Sequence, residues 1–110
     1  MCSTTMPQEL ADGYSRFVSN RIEEQQKLYE QLGKGQSPHT LVISCADSRV
    51  DPATIFGAAP GELFVIRNVA NIVPPHSAYA DAPNSHLAGT AAALEFAVGH
   101  LRVSRIVVMG

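Results

Sequence analysis

Three short apolar runs, separated by segments with helical character, most strongly constrain how this sequence can fold. The runs lie at residues 41–44, 63–66 and 105–109, and each is predominantly apolar rather than alternating apolar with polar. Strands that are buried on both faces have this pattern, which is typical of parallel sheets covered by helices. The sequence therefore predicts an α/β fold with a parallel-dominated sheet and flanking helices.

Helical periodicity surrounds and separates these predicted strands. Apolar residues recur at spacings of three and four over residues 8–32, which predicts a long N-terminal helix ended by Gly33. A short helix is predicted over residues 53–56 and a longer one over residues 86–101. The intervening residues 67–85 read as a long loop, and loops of that length often carry function.

Size, charge and cysteine usage limit the classes of protein that this sequence can represent. Its 110 residues suit a single domain, and its net charge of −2 gives no signature of nucleic-acid binding. No apolar run is long enough for a signal peptide or a membrane helix, so no membrane association is expected. Cys2 and Cys45 do not make a disulfide framework, so we expect a cytoplasmic protein with reduced thiols.

Cys45, Asp47 and Arg49 directly follow the first predicted strand. In an extended segment their side chains point to the same side, at the strand end where open α/β sheets bind ligands. A thiolate suits zinc, and an arginine can hold a nearby carboxylate ionised by bidentate hydrogen bonds. On local chemistry alone, Cys45 is equally well read as a small buried hydrophobe, and Asp47 and Arg49 as an ordinary ion pair before a helix.

Four stretches of the sequence carry motifs in a defined order. They are CADSRVDP at residues 45–52, PGELFVIRNVANIVPP at residues 60–75, GTAAALEFAV at residues 89–98 and LRVSRIVVMG at residues 101–110. Together these motifs resemble the β-class carbonic anhydrases. The resemblance implies a zinc enzyme for the reversible hydration of carbon dioxide to bicarbonate. It also implies a parallel-dominated sheet and an N-terminal helix that embraces the partner in a dimer or higher homo-oligomer.

The resemblance also assigns roles to individual residues. Cys45 falls on the first zinc ligand of the family, and Asp47 and Arg49 fall on its catalytic pair. Asp47 is in addition a conditional zinc ligand, because in some members the aspartate moves onto the metal and closes the site.

A second group of residues falls on the family's substrate pocket. Gln36 matches a glutamine that hydrogen-bonds substrate in the plant-like branch, and Phe64 and Val69 match the apolar wall around carbon dioxide. Phe96 stands where that branch has a tyrosine. The alternative interpretation is that Gln36 is a solvated linker residue and that Phe64, Val69 and Phe96 are ordinary core.

The family continues after its third strand with a His-x-x-Cys motif that supplies the second and third zinc ligands, whereas this sequence ends at Gly110. A catalytic zinc normally has three protein ligands, and none of the four histidines has ligand spacing to Cys45. We therefore expect residues 1–110 to form a partial domain, incomplete at its C-terminus, that is inactive alone.

Three hypotheses about function follow. In the first, the sequence is part of a β-class carbonic anhydrase, and the activity belongs to the complete chain. In the second, it is a non-catalytic α/β dimerisation module that lacks zinc. In the third, Cys45 is a nucleophile activated by Arg49 without a metal; this ranks last because no histidine is placed to act as its base.

Overall fold

The computed structural model describes residues 5–76 and 87–110. These residues belong to two units, one that ends at Gly35 and one that begins at Gln36. The predicted helix start at His86 lies outside the described residues. No helix in the described part of the chain is long and apolar enough to cross a membrane.

The first unit is helical, but its helix is interrupted. The helical segments are α1 (Gln8–Arg16), a π-helical continuation (Phe17–Ile22) and α2 (Gln26–Leu32). Gln25 leaves helical geometry, with φ −115° and ψ 29°. The prediction of one continuous helix over residues 8–32 is therefore wrong.

A ring contact gives the physical reason for the break in this helix. The ring centroids of Phe17 and Tyr29 are 5.9 Å apart, in an edge-to-face arrangement. Residues twelve positions apart in a straight α-helix are separated by about 18 Å. The chain must therefore fold back near Gln25 so that the two rings can meet.

The second unit is built on a parallel sheet, as the sequence predicts. Its elements in chain order are β1 (Thr40–Cys45), α3 (Pro52–Phe56), β2 (Leu63–Asn68), α4 (Ala88–Glu95) with a π-helical continuation (Phe96–Leu101), and β3 (Arg105–Met109). The strand order is β2-β1-β3, and β1 pairs in parallel with both neighbours. The first predicted strand is therefore the central strand of the sheet.

Strand β2 is longer than predicted. Arg67 pairs with Ser44 and Asn68 pairs with Cys45, so two residues that the sequence places in a loop belong to the sheet. The pairing is carried one step further because the backbone N–H of Ala46 donates to the carbonyl oxygen of Asn68 at 2.8 Å. The polar side chains of Arg67 and Asn68 are thus held at the carboxyl edge of the sheet.

The core of this unit lies on the central strand. Leu41 and Ile43 are buried with Ala97 of the helix that covers one face of the sheet. Ile43 is 1% exposed, whereas Ile106 on the neighbouring β3 is 50% exposed. The prediction that all three strands are buried on both faces is correct only for β1, because the covering helix packs over the centre of the sheet and leaves its β3 edge open.

This difference in burial predicts unequal effects of two matched substitutions. Ile43→Ala should lower the free energy of unfolding by about 2–5 kcal/mol, because it leaves a cavity in a closed core. Ile106→Ala should lower it by less than about 1 kcal/mol, because its side chain already contacts water. Urea unfolding followed by circular dichroism measures both values, and equal losses would contradict this description of the core.

Candidate metal centre

Cys45 is the last residue of the central strand and lies at the carboxyl edge of the sheet. The ends of the two outer strands approach each other there. A Cβ atom added to Gly110, after β3, would lie 2.6 Å from Oδ1 of Asn71, after β2. The Asn71 side chain therefore lies close to the backbone of Gly110.

Backbone groups near the Cys45 thiol affect its protonation. The backbone N–H groups of Asp47, Ala70 and Ala46 lower the pKa of Cys45 below its ordinary value, with the Asp47 group acting most strongly. Partial desolvation and the Asp47 carboxylate oppose this effect without cancelling it. A lowered pKa favours the thiolate, which is the form that binds metal ions.

Asn68 fixes the turn that contains Ala70 and follows β2. Its Oδ1 accepts the backbone N–H of Ile72 at 2.7 Å, and its Nδ2 donates to the Ile72 carbonyl at 2.8 Å and to Thr90 Oγ1 at 3.0 Å. Ala70 and Asn71 within this turn have φ values of 72° and 45°. Left-handed backbone is unfavourable for residues with a Cβ, so the side chain of Asn68 stabilises a costly conformation.

Asp47 and Arg49 form a closely fitted pair. Arg49 Nε and Nη2 donate to Oδ1 and Oδ2 of Asp47 at 2.9 and 2.7 Å, and the Arg49 backbone N–H donates to Oδ1 at 2.9 Å. The Arg49 side chain, then its backbone N–H, and then the charge of Arg67 lower the pKa of Asp47 to about 2. Asp47 is therefore ionised at neutral pH, and its partner Arg49 has a side chain that is 86% exposed.

The predicted pocket residues are distributed more widely. Phe64 packs on the core, and its ring centroid lies 5.6 Å from that of Phe96, which in turn stacks on His100. Val69 directly follows β2 and is 80% exposed. Gln36 is exposed and precedes the amino end of β1, whereas Cys45 lies at the carboxyl end of that strand. Their roles in substrate binding stay predictions.

The described residues provide part of a metal site. No group of three His, Cys, Asp or Glu side chains within residues 5–76 and 87–110 is placed to hold a metal ion. His39 hydrogen-bonds Thr40 Oγ1 at the amino end of β1, away from Cys45. Among the described residues, Cys45 is therefore the candidate metal ligand, and the Asp47–Arg49 pair lies beside it.

A parallel α/β sheet whose central strand ends in a cysteine, followed two residues later by an ionised aspartate, places one potential zinc ligand and one carboxylate at the edge where α/β proteins bind ligands. Comparison with known proteins identifies the class of protein more closely. The sequence profile of the family described as "Carbonic anhydrase" matches residues 40–110. The chain is 44% identical over 98 residues to a carbonic anhydrase of Helicobacter pylori strain J99.

Solved structures agree with this family. The β-carbonic anhydrase CcaA matches with a TM-score of 0.82 and 42% identity over 92% of this chain. Two tetrameric β-carbonic anhydrases from the filamentous ascomycete Sordaria macrospora were solved together, and the matching chain has a TM-score of 0.74 and 33% identity over 90% of this chain. The chain belongs to the β-class carbonic anhydrase family. The match to the Helicobacter pylori relative covers 89% of this chain but only 42% of that relative. This chain likewise covers 42% of the CcaA chain and 45% of the Sordaria macrospora chain.

Arg67 and Asn68 are further polar residues at this edge of the sheet, and the sequence alone assigned them no contacts. Both are polar residues at the end of an apolar strand, and this position is the signal that could have identified them.

The environment of Cys45 predicts an early-titrating thiol. In a Cys2→Ser variant, the alkylation rate with iodoacetamide should rise with pH at a midpoint below that of the same chain unfolded in urea, because the folded chain directs backbone N–H groups at the sulfur. A folded-state midpoint at or above the unfolded one would contradict the stabilisation of the thiolate by these groups.

The Asp47–Arg49 pair predicts a defined response to pH. Arg49→Gln should raise the pKa of Asp47 above about 2, although the backbone N–H of residue 49 still donates to it. Because the folded-state pKa lies below the unfolded value, the ionised pair stabilises the folded chain above about pH 4, and this contribution is lost as pH falls towards 2. Carbon-13 NMR titration of the carboxyl group measures the pKa. Arg105→Gln, at the amino end of β3, is the matched control and should leave it unchanged.

Proposed function

We propose that this chain is the part of a β-class carbonic anhydrase that contributes the first zinc ligand and the catalytic pair. The complete enzyme would hydrate carbon dioxide reversibly to bicarbonate. One observation carries this proposal: in a chain of this family, Cys45 ends the central strand two residues before a carboxylate that Arg49 hydrogen-bonds on both oxygens.

The chemistry of the donor fits zinc. Cys45 offers a thiolate, which is a preferred ligand of zinc, and backbone N–H groups already compensate its charge. Cys45 would hold the metal together with the histidine and cysteine of the family's His-x-x-Cys motif. When bound, zinc supplies hydroxide at neutral pH because it lowers the pKa of coordinated water to about 7.

Asp47 has a specific role in this proposal. Its Oδ1 accepts two hydrogen bonds and its Oδ2 accepts one, all from Arg49. One lone pair of Oδ2 is therefore available, and a carboxylate with a pKa of about 2 acts only as an acceptor at neutral pH. Asp47 would use this lone pair to orient a hydrogen-bond donor in the reaction site. Asp47 would act as a zinc ligand instead if this oxygen moved onto the metal.

The substrate pocket and the assembly extend the proposal. Carbon dioxide is apolar, so apolar side chains would line its binding pocket. These would be the exposed Val69 beside the site and the Phe64 and Phe96 rings of the same unit. Gln36 would hydrogen-bond the substrate. A homo-oligomer, a dimer or larger, would agree with the tetrameric Sordaria macrospora relatives. A zinc-binding thiol requires a reduced Cys45, which favours the cytoplasm.

The second candidate function is a non-catalytic module without zinc. The observation that favours it is the lack of a three-ligand cluster within residues 5–76 and 87–110. The two candidates differ in whether the site becomes catalytic when the remaining family ligands are supplied.

A chimera distinguishes these functions. Residues 1–110 joined to the C-terminal region of the Helicobacter pylori relative should hydrate carbon dioxide, as measured by stopped-flow pH indicator. Cys45→Ser should lower the rate at least about 100-fold, because it removes a metal ligand. Ser48→Ala, an exposed residue of the same loop, is the matched control and should retain activity. A folded chimera without activity, or equal activity in Cys45→Ser, would overturn the proposal.

A further inference from the structure

We propose that Arg67 is a positioning residue that fixes the backbone between the zinc ligand and the catalytic carboxylate; this inference rests on the function proposed above. Arg67 comes from β2, the strand beside the one that carries Cys45. Its Nε donates to the carbonyl oxygen of Cys45 at 2.9 Å, and its Nη2 donates to the carbonyl oxygen of Asp47 at 2.6 Å. One guanidinium thus binds the backbone of both functional residues.

The geometry of the guanidinium makes this a rigid link. Its donors lie in one plane at fixed angles, so two simultaneous bonds fix the two carbonyl groups relative to each other. The two carbonyl groups belong to the peptide groups on either side of the one that joins Ala46 to Asp47. Arg67 therefore holds the backbone on both sides of this peptide group.

Arg67 also reaches the far end of the loop. Its Nη1 lies 3.6 Å from Oδ1 of Asp51, at the start of α3, and Asp51 Oδ2 accepts a hydrogen bond from Thr54 Oγ1 at 2.5 Å. The Arg67 side chain is 28% exposed, so these bonds are partly shielded from water. The loop from Cys45 to Asp51 is consequently held by a residue that is outside it in sequence.

This arrangement assigns different tasks to the two arginines. Arg49 holds the Asp47 carboxylate, whereas Arg67 holds the Asp47 backbone. The side chain and the main chain of the same residue are thus fixed independently. A lysine at position 67 keeps the charge but is a point donor that cannot reproduce two bonds at fixed angles.

Hydrogen exchange of the 110-residue chain, measured by NMR, tests this role without a metal. The N–H groups of Arg49 and Val50 are bonded to Asp47 Oδ1 and to the Asp47 carbonyl. In Arg67→Lys and Arg67→Gln they should exchange about tenfold faster or more, while those of Val42 and Ile43 stay unchanged. Arg105→Gln is the matched control and should alter neither group.

Two outcomes would overturn the positioning role. Unchanged exchange in the loop would show that Arg67 does not hold it. Equal acceleration in the loop and in β1 would show that Arg67 serves only the stability of the whole unit. The Lys variant keeps the charge and the aliphatic stem, so it decides the question if the Gln variant does not fold.

The chimera provides the catalytic readout. Arg67→Lys there should lower kcat about tenfold or more and leave KM within about twofold, because the catalytic carboxylate is displaced without loss of the substrate pocket. Unchanged kcat would overturn the positioning role in catalysis. A chimera that is inactive with Arg67 intact would instead refute the proposed function, while the exchange result still decides whether Arg67 fixes the loop.

Discussion

Burial of the central strand on both faces is the constraint on which the rest of this structure depends. Leu41, Val42 and Ile43 are almost completely removed from water. Because β1 is paired in parallel on both sides, its carboxyl end cannot shift without breaking two ladders. Cys45 is the last residue of this strand, so the most rigid part of the unit determines where its thiol lies.

Around that fixed point, the site is assembled from groups that compensate negative charge. Backbone N–H groups lower the pKa of Cys45, one guanidinium binds the Asp47 side chain, and a second binds the Asp47 backbone. Hydrogen-bond donors that are already in place do not have to move when negative charge develops during a reaction. This preorganisation is the usual basis of electrostatic catalysis. The arrangement therefore favours two negative groups close together, which is what a site for a divalent cation requires.

The sequence was sufficient to predict the sheet and the short-range part of the site. Continuous apolar runs identified the three strands, and the spacing of Asp47 and Arg49 predicted their pairing. The homologues confirm the family that the four motifs indicated.

The contacts that escaped prediction link residues distant in sequence. Arg67 and Asn68 act on positions about twenty residues away, and no local pattern specifies such a pairing. The break in the N-terminal helix likewise depends on a contact between Phe17 and Tyr29, whereas helical periodicity reports only which residues are apolar.

The central claim is that Cys45 is a zinc ligand, and the zinc content per chain tests it most directly. The chimera with the Helicobacter pylori C-terminal region should retain close to one zinc per chain after dialysis against a weak chelator, and Cys45→Ser should lose it. Equal zinc content in the two proteins would show that the metal is held by other residues and would contradict the assignment of Cys45 as a ligand.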